Sequence, residues 1–185
     1  MNNWLQRTEL LYGAEAVAML LYCRVAVFGL GGVGGYVVEA LARSGVGALD
    51  LIDSDTVNET NINRQIIALR STVGQKKTEA AKARWPDIEV FDLSMDKTNL
   101  PDLIRGCDLA VDALDNLQTR KALKAACQQK GLPILSRSLH HESNRARPSL
   151  PWARRRGLPS NAHSRPNVRS RRKMMMICLA GGERN

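Results

Sequence analysis

Apolar positions along this chain follow two rhythms that take turns. Runs in which nearly every residue is apolar, such as RVAVFG at residues 24–29 and DLAVDAL at 108–114, have the pattern of strands covered on both faces. Between them, apolar residues recur every three or four positions, which is the helical period. The spacing predicts a helix over residues 8–22, TELLYGAEAVAMLLY, with Thr8 as its N-cap. A strand follows at 24–29, then a helix at 34–44 that Gly45 to Gly47 end. ALDLID at 48–53 reads as the second strand, leading into the polar loop DSDTVNETNINRQ and a short helix or turn at IIALR. GQKKTEAAKAR (74–84) and NLPDLIRGC (99–107) read as helices around a third strand, DIEVFDLS. The fourth strand, DLAVDAL, precedes a strong amphipathic helix, NLQTRKALKAACQQKG, which Gly131 ends, and LPILS is the fifth strand. Strands alternating with helices predict an α/β fold: a Rossmann-like, doubly wound, mainly parallel sheet. Such sheets bind ligands beyond the carboxyl ends of their strands.

The pattern stops near residue 136. From Met1 to Leu135 there are 15 Lys and Arg against 16 Asp and Glu, whereas from Ser136 to Asn185 there are 12 against 2. The whole excess behind the formal charge of +9 therefore sits in the last fifty residues. That segment is rich in Arg, Pro, Ser and Asn, has no sustained apolar period, and reads as a basic tail of low order. Two units are expected: a nucleotide-binding domain over 1–135 and the tail over 136–185.

Several function classes drop out on composition. Aromatic residues are 4% of the chain, which gives no support to a base-stacking surface for single-stranded nucleic acid. No apolar run reaches the ~20 residues a membrane span needs, and MNNWLQRTEL lacks the basic and apolar regions of a signal peptide. A cytoplasmic protein is expected. The four cysteines, Cys23, Cys107, Cys127 and Cys178, include no C-x-x-C pair, so neither a zinc site nor a disulfide framework is expected.

The chemistry begins at VFGLGGVGG. Gly29, Gly31, Gly32 and Gly34 match G-x-G-x-x-G between a strand and a helix, the context in which backbone N–H groups and a helix N-terminus hold a phosphate. Asp53, at the end of the second strand, is placed for a ribose hydroxyl. To this point a hydride-transfer enzyme using NAD and an enzyme consuming ATP look alike, and a glycine turn that only allows tight packing is the bland alternative. Arg64 and Lys77 favour ATP. Two cations suit the charge that grows on departing pyrophosphate, and Asp115, just past the fourth strand, suits magnesium.

At these residues the chain resembles the ubiquitin-activating-like superfamily of adenylating enzymes (the ThiF type). RTELLYGAEA, GLGGVGGYVVEALARSGVG, LDLIDSDTV, TNINRQIIAL and STVGQKK are most similar to its branch of tRNA threonylcarbamoyladenosine dehydratases, over roughly residues 5–135. The resemblance implies ATP-dependent adenylation of the threonyl carboxylate on adenosine 37 of tRNA, then cyclisation with loss of AMP. It also implies that the four glycines form the phosphate loop and Asp53 holds the ribose. Asn61, Arg64 and Lys77 would contact phosphates, Asp115 would bind Mg2+, and Arg7 would reach the ATP of a partner in a homodimer. The runner-up from the same superfamily activates the C-terminal carboxylate of a ubiquitin-like sulfur-carrier protein, which would bring a carrier or sulfur-donor partner. A nucleotide-binding module, catalytically incomplete and attached to RNA by its tail, is the alternative from another class. Two departures from the family pattern stand out. RWPDIEV replaces a longer run before the third strand, and the resemblance ends soon after LPILS, where relatives continue with a glycine-rich loop and further elements. The abrupt change to Arg, Pro, Ser and His is what a shifted reading frame in a GC-rich gene produces. A genuine basic extension and a divergent folded segment are the other two readings.

Overall fold

The computed structural model describes residues 3–85, 89–91 and 99–136. The basic tail and most of the expected third strand lie outside the described residues.

A short 3-10 turn at Asn3–Leu5 leads into helix α1 (Gln6–Tyr12) and helix α2 (Ala14–Leu20). The single helix expected over 8–22 is therefore two, divided at Gly13, whose φ is 87°. Thr8 lies inside α1 and caps nothing; Leu5 occupies the N-cap without a side-chain bond. Strand β1 (Arg24–Phe28) is followed by α3 (Gly34–Arg43) and β2 (Ala48–Ile52), close to expectation. IIALR forms turns, and the nearest regular element is a 3-10 turn at Arg70–Thr72. Helix α4 (Lys77–Arg84) starts three residues later than its pattern, because residues 74–76 are spent on the 53–57 loop. There Gly74 N–H donates to the Val57 carbonyl, Val57 N–H to Gln75, and Thr56 bridges Lys76. Strand β3 is Glu89–Phe91. Helix α5 (Leu100–Leu103) is shorter than the 99–107 pattern; Gly106 at φ 76° then turns the chain into β4 (Leu109–Asp112). Helix α6 (Leu117–Gln129) and β5 (Ile134–Ser136) complete the order.

The five strands form one sheet in the order β3-β2-β1-β4-β5, and every pairing is parallel. Alternation within the strands sends side chains to two separate cores. Val25, Val27, Leu49, Leu51, Leu109 and Val111 face one side, against Val38 and Leu41 of α3 and Ala80 and Ala81 of α4. Ala26, Phe28, Ile52 and Ala110 face the other, against Leu103 of α5 and Leu123 and Cys127 of α6. Full burial of each large side chain contributes ~1.5–3 kcal/mol, and both faces are covered over β1, β2 and β4. That is why the strands read as unbroken apolar runs.

The buried aspartates inside these strands, Asp50 and Asp112, are paired. Asp50, buried in β2, accepts from Arg24 Nε at 2.8 Å and Nη2 at 2.9 Å, and the Cys107 thiol lies 3.4 Å from its Oδ2. Burial, with the Asp50 charge adding to it, pushes the Cys107 thiol up to about 12. The cysteines at 23, 107 and 127 are buried and unbridged. Among the described residues no helix is long and apolar enough to cross a membrane.

Candidate functional site

Because all strands run the same way, their carboxyl ends share one edge, and the loops leaving β1, β2 and β4 meet there. They enclose a cleft of about 710 Å³, a size suited to a small-molecule ligand.

The first wall is the glycine loop between β1 and α3. Gly29, at φ 91°, has no room for a side chain, since a Cβ there would lie 2.9 Å from the Ala113 carbonyl oxygen. Gly34 is tighter, because a Cβ would come within 1.7 Å of the Gly29 carbonyl oxygen. Gly34 begins α3 and is buried behind the loop rather than lining the cleft; Gly29, Gly31 and Gly32 line it. The helix N-terminus thus opens onto the cleft with its partial positive charge.

Asp53, just beyond β2, lines the cleft beside the glycine loop and is buried. Its Oδ2 accepts the Leu30 N–H at 2.6 Å, and its Oδ1 accepts the Asp55 N–H at 2.8 Å. One carboxylate therefore ties the glycine loop to the loop after β2. Burial raises its pKa above the ordinary carboxylate value, against the opposing pull of these two N–H groups and of Lys77.

Lys77 is buried at the start of α4, with its Nζ 2.7 Å from Asp55 Oδ2. Arg64 is exposed at the cleft and donates from Nη1 to the Thr60 carbonyl at 2.9 Å and to Asn63 Oδ1 at 3.0 Å. Asp115 is exposed on the loop after β4, where Asn116 Oδ1 caps α6 by accepting from Gln118 and Thr119 N–H groups. Behind that loop, Arg120 Nε meets the buried Asp112 carboxylate at 3.0 Å.

The structure therefore brings Gly29, Gly31, Gly32, Asp53, Arg64, Lys77 and Asp115 to one cleft. Besides Gly34, two expected residues do not line it. Asn61 is buried in a 3-10 turn, where its Oδ1 accepts the Asn58 N–H at 3.0 Å and so shapes the loop that carries Arg64. Arg7, expected at a partner's site rather than at its own, is exposed on α1 and does not line this chain's cleft. Sequence reasoning passed over Asp55, Gln65, Asn116 and Thr119, all of which line it. The D-x-D spacing pointed to Asp55, and an Asn before a helical run pointed to a cap. Gln65 had no signal of its own. Its side chain is buried with Oε1 bonded to no described residue.

Arg64 and Lys77 beside a glycine loop and a helix N-terminus suit phosphate oxygens. Among the described residues no cluster of three or more His, Cys, Asp or Glu could hold a metal alone. Asp115, an exposed carboxylate, fits magnesium of the kind that takes its other ligands from substrate phosphates and water.

The ThiF family model matches residues 5–144. A tRNA threonylcarbamoyladenosine dehydratase of Bacillus subtilis is 42% identical over 143 residues, 74% of this chain and 56% of the relative. A molybdopterin-synthase adenylyltransferase of Salmonella typhimurium is 40% identical over 128 residues, 66% of this chain and 51% of the relative. The crystal structure of the E. coli tRNA N6-threonylcarbamoyladenosine dehydratase in complex with ATP superposes with a TM-score of 0.69 at 37% identity, covering 74% of this chain and 60% of that one. This chain spans about half the length of the curated relatives it matches.

Proposed function

From the premise that this chain belongs to the ThiF family, we propose that its cleft binds ATP with magnesium and adenylates a carboxylate. The substrate we assign is the threonyl carboxylate of threonylcarbamoyladenosine at position 37 of tRNA. One observation carries the reading: Lys77, Arg64 and Asp115 converge on the glycine loop in a single cleft with Asp53. An NAD enzyme has no use for that arrangement of charge.

In the reaction, a carboxylate oxygen attacks the α-phosphorus of ATP. The new oxygen–phosphorus bond forms as the bond to the bridging oxygen breaks, and pyrophosphate leaves with its electrons. Gly31 and Gly32 offer backbone at the loop, and Asp53 offers acceptor positions for a ribose hydroxyl while it holds Leu30 and Asp55. Lys77 and Arg64 are the cations for the charge that develops on pyrophosphate. Lys77 pairs with Asp55, so phosphate oxygens would exchange with that carboxylate. Asp115 would hold magnesium, which supplies neutralisation of phosphate charge. An internal nucleophile of the adenylated side chain then displaces AMP and closes the ring. We place this reaction in a homodimer, with Arg7 of each copy completing the other's site.

Titration of ATP·Mg2+ and NAD against the purified chain tests the nucleotide, and equal or tighter NAD binding refutes the reading. Pyrophosphate exchange stimulated by threonylcarbamoyladenosine-containing tRNA tests the substrate. Exchange that responds instead to a sulfur-carrier protein establishes the second reading, which the adenylyltransferase relative favours. Mixing an Arg7→Ala chain with a Lys77→Ala chain should restore exchange if the site is shared, and a dimer that fails to complement removes Arg7 from it.

A further inference from the structure

Two charged side chains, each more than nine-tenths buried, lie directly behind the cleft. Asp112 ends β4 and Arg120 sits in the first turns of α6; both are buried, and Nε lies 3.0 Å from Oδ2. Removing two charges from water costs more than a fold needs, since apolar residues of similar volume commonly stabilise as well or better. Such a pair earns attention for its geometry. The other Asp112 oxygen, Oδ1, accepts the Leu114 N–H at 3.3 Å. One carboxylate thus holds the four-residue turn between β4 and α6 at two places: within it at Leu114 and beyond it at Arg120, in the first turns of the helix. The turn is Ala113, Leu114, Asp115 and Asn116, and all four line the cleft. The same turn presents the Ala113 carbonyl oxygen against which Gly29 packs.

We propose that the Asp112–Arg120 pair is the positioning device for the magnesium-binding turn, setting where the Asp115 carboxylate stands relative to the glycine loop. Asp115 itself is exposed and has no wall of its own. Its direction is inherited from the turn, and the turn's direction is inherited from Asp112. Partners that orient a metal ligand from behind typically carry 10–100-fold in metal affinity or activity. The inference rests on the reading of Asp115 as the residue that takes magnesium.

The test compares ATP affinity with magnesium and with EDTA, so it requires no turnover. In the parent, magnesium should strengthen ATP binding at least tenfold. The double variant Asp112→Asn, Arg120→Met removes both charges together. It should stay folded, bind ATP in EDTA within about twofold of the parent, and lose most of the magnesium enhancement. Arg120→Lys keeps the charge but not the planar guanidinium, and should give an intermediate enhancement. As a control for general loosening, Cys127→Ala on the same helix face should leave the enhancement at the parental value even if it lowers the melting temperature. A parental enhancement in whichever of the two pair variants folds overturns the inference. Asp115→Asn separates the two levels. If it abolishes the enhancement while the pair variants keep it, only the positioning role falls. If Asp115→Asn keeps the enhancement, or the parent has none, the magnesium reading falls and takes the positioning role with it.

Discussion

Gly31 and Gly34 lie three residues apart in one loop, and alanine should act on them in opposite ways. At Gly34 an added Cβ would stand 1.7 Å from the Gly29 carbonyl oxygen, where ordinary contact begins at 3.4 Å. One group must retreat by the difference, 1.7 Å, and Gly29 is itself pressed against Ala113. Overpacking on that scale costs ~1–3 kcal/mol or more, so Gly34→Ala should lower stability and drag the loop with it. At Gly31 the added carbon meets only Gln65 Nε2 at 4.0 Å, and the residue is not among the glycines with positive φ. Alanine there should leave stability unchanged or raise it by up to ~1 kcal/mol, through the lower entropy of the unfolded chain. Among the described residues nothing therefore requires glycine at Gly31; on the proposed reading a ligand does. An N–H to phosphate contact needs a donor–acceptor distance of ~2.9 Å, and a methyl group on that wall holds the phosphate off. Loss of such contacts should weaken ATP at least ~10-fold, about 1.4 kcal/mol. The assay is urea unfolding of both variants alongside ATP titration. A folded Gly31→Ala protein that binds ATP like the parent would refute the phosphate-loop assignment and leave the glycines as packing devices.

Arg64→Ala and Lys77→Ala should each cut pyrophosphate exchange ~100-fold or more with little change in adenosine affinity, because the charge they meet develops in the transition state. Asp115→Asn should be partly relieved by excess magnesium; normal exchange in all three would sink the site. Asp53, whose folded pKa is raised by burial, binds its proton more tightly in the folded state. Its contribution to stability should therefore fall as pH rises from the ordinary carboxylate range through that raised value. Urea unfolding of the parent minus that of Asp53→Asn, followed across the acid range, should show this decline; a rise would reverse the assignment. With thiols pushed up to about 12 and about 11 by burial, Cys107 and Cys127 should resist alkylation at pH 8 until denaturant is added. Stoichiometric labelling of either in the native protein would contradict their burial.

Much of this was legible in one dimension because it depends on neighbours in the chain. Strands flanked by helices on both faces have to be apolar throughout, so RVAVF and LAVD announced a parallel sheet before any pairing was known. A glycine loop between a strand and a helix is also a local object, and so is Asn116 before its helix. Element ends were less legible. The break at Gly13 divided one apolar period into two helices, and the late start of α4 follows from backbone bonds that residues 74–76 make to residues some 18 positions earlier.

The site divides along the same line. Residue type and order pointed to Asp53, Arg64, Lys77 and Asp115, because a phosphate chemistry demands those charges on this fold. How the side chains are spent depended on contacts between distant segments. Asp53 closes a 23-residue gap to Leu30, Lys77 reaches back 22 residues to Asp55, and Asn61 turns inward to its own loop. A charge in a sequence has no partner until folding decides the distances. Arg120 shows this most plainly: its spacing sets it on the helix face of Leu123 and Cys127, but nothing in the sequence names its partner. Only the packing of α6 against β4 buries it beside Asp112, because a carboxylate taken out of water at the end of that strand needs a cation within reach.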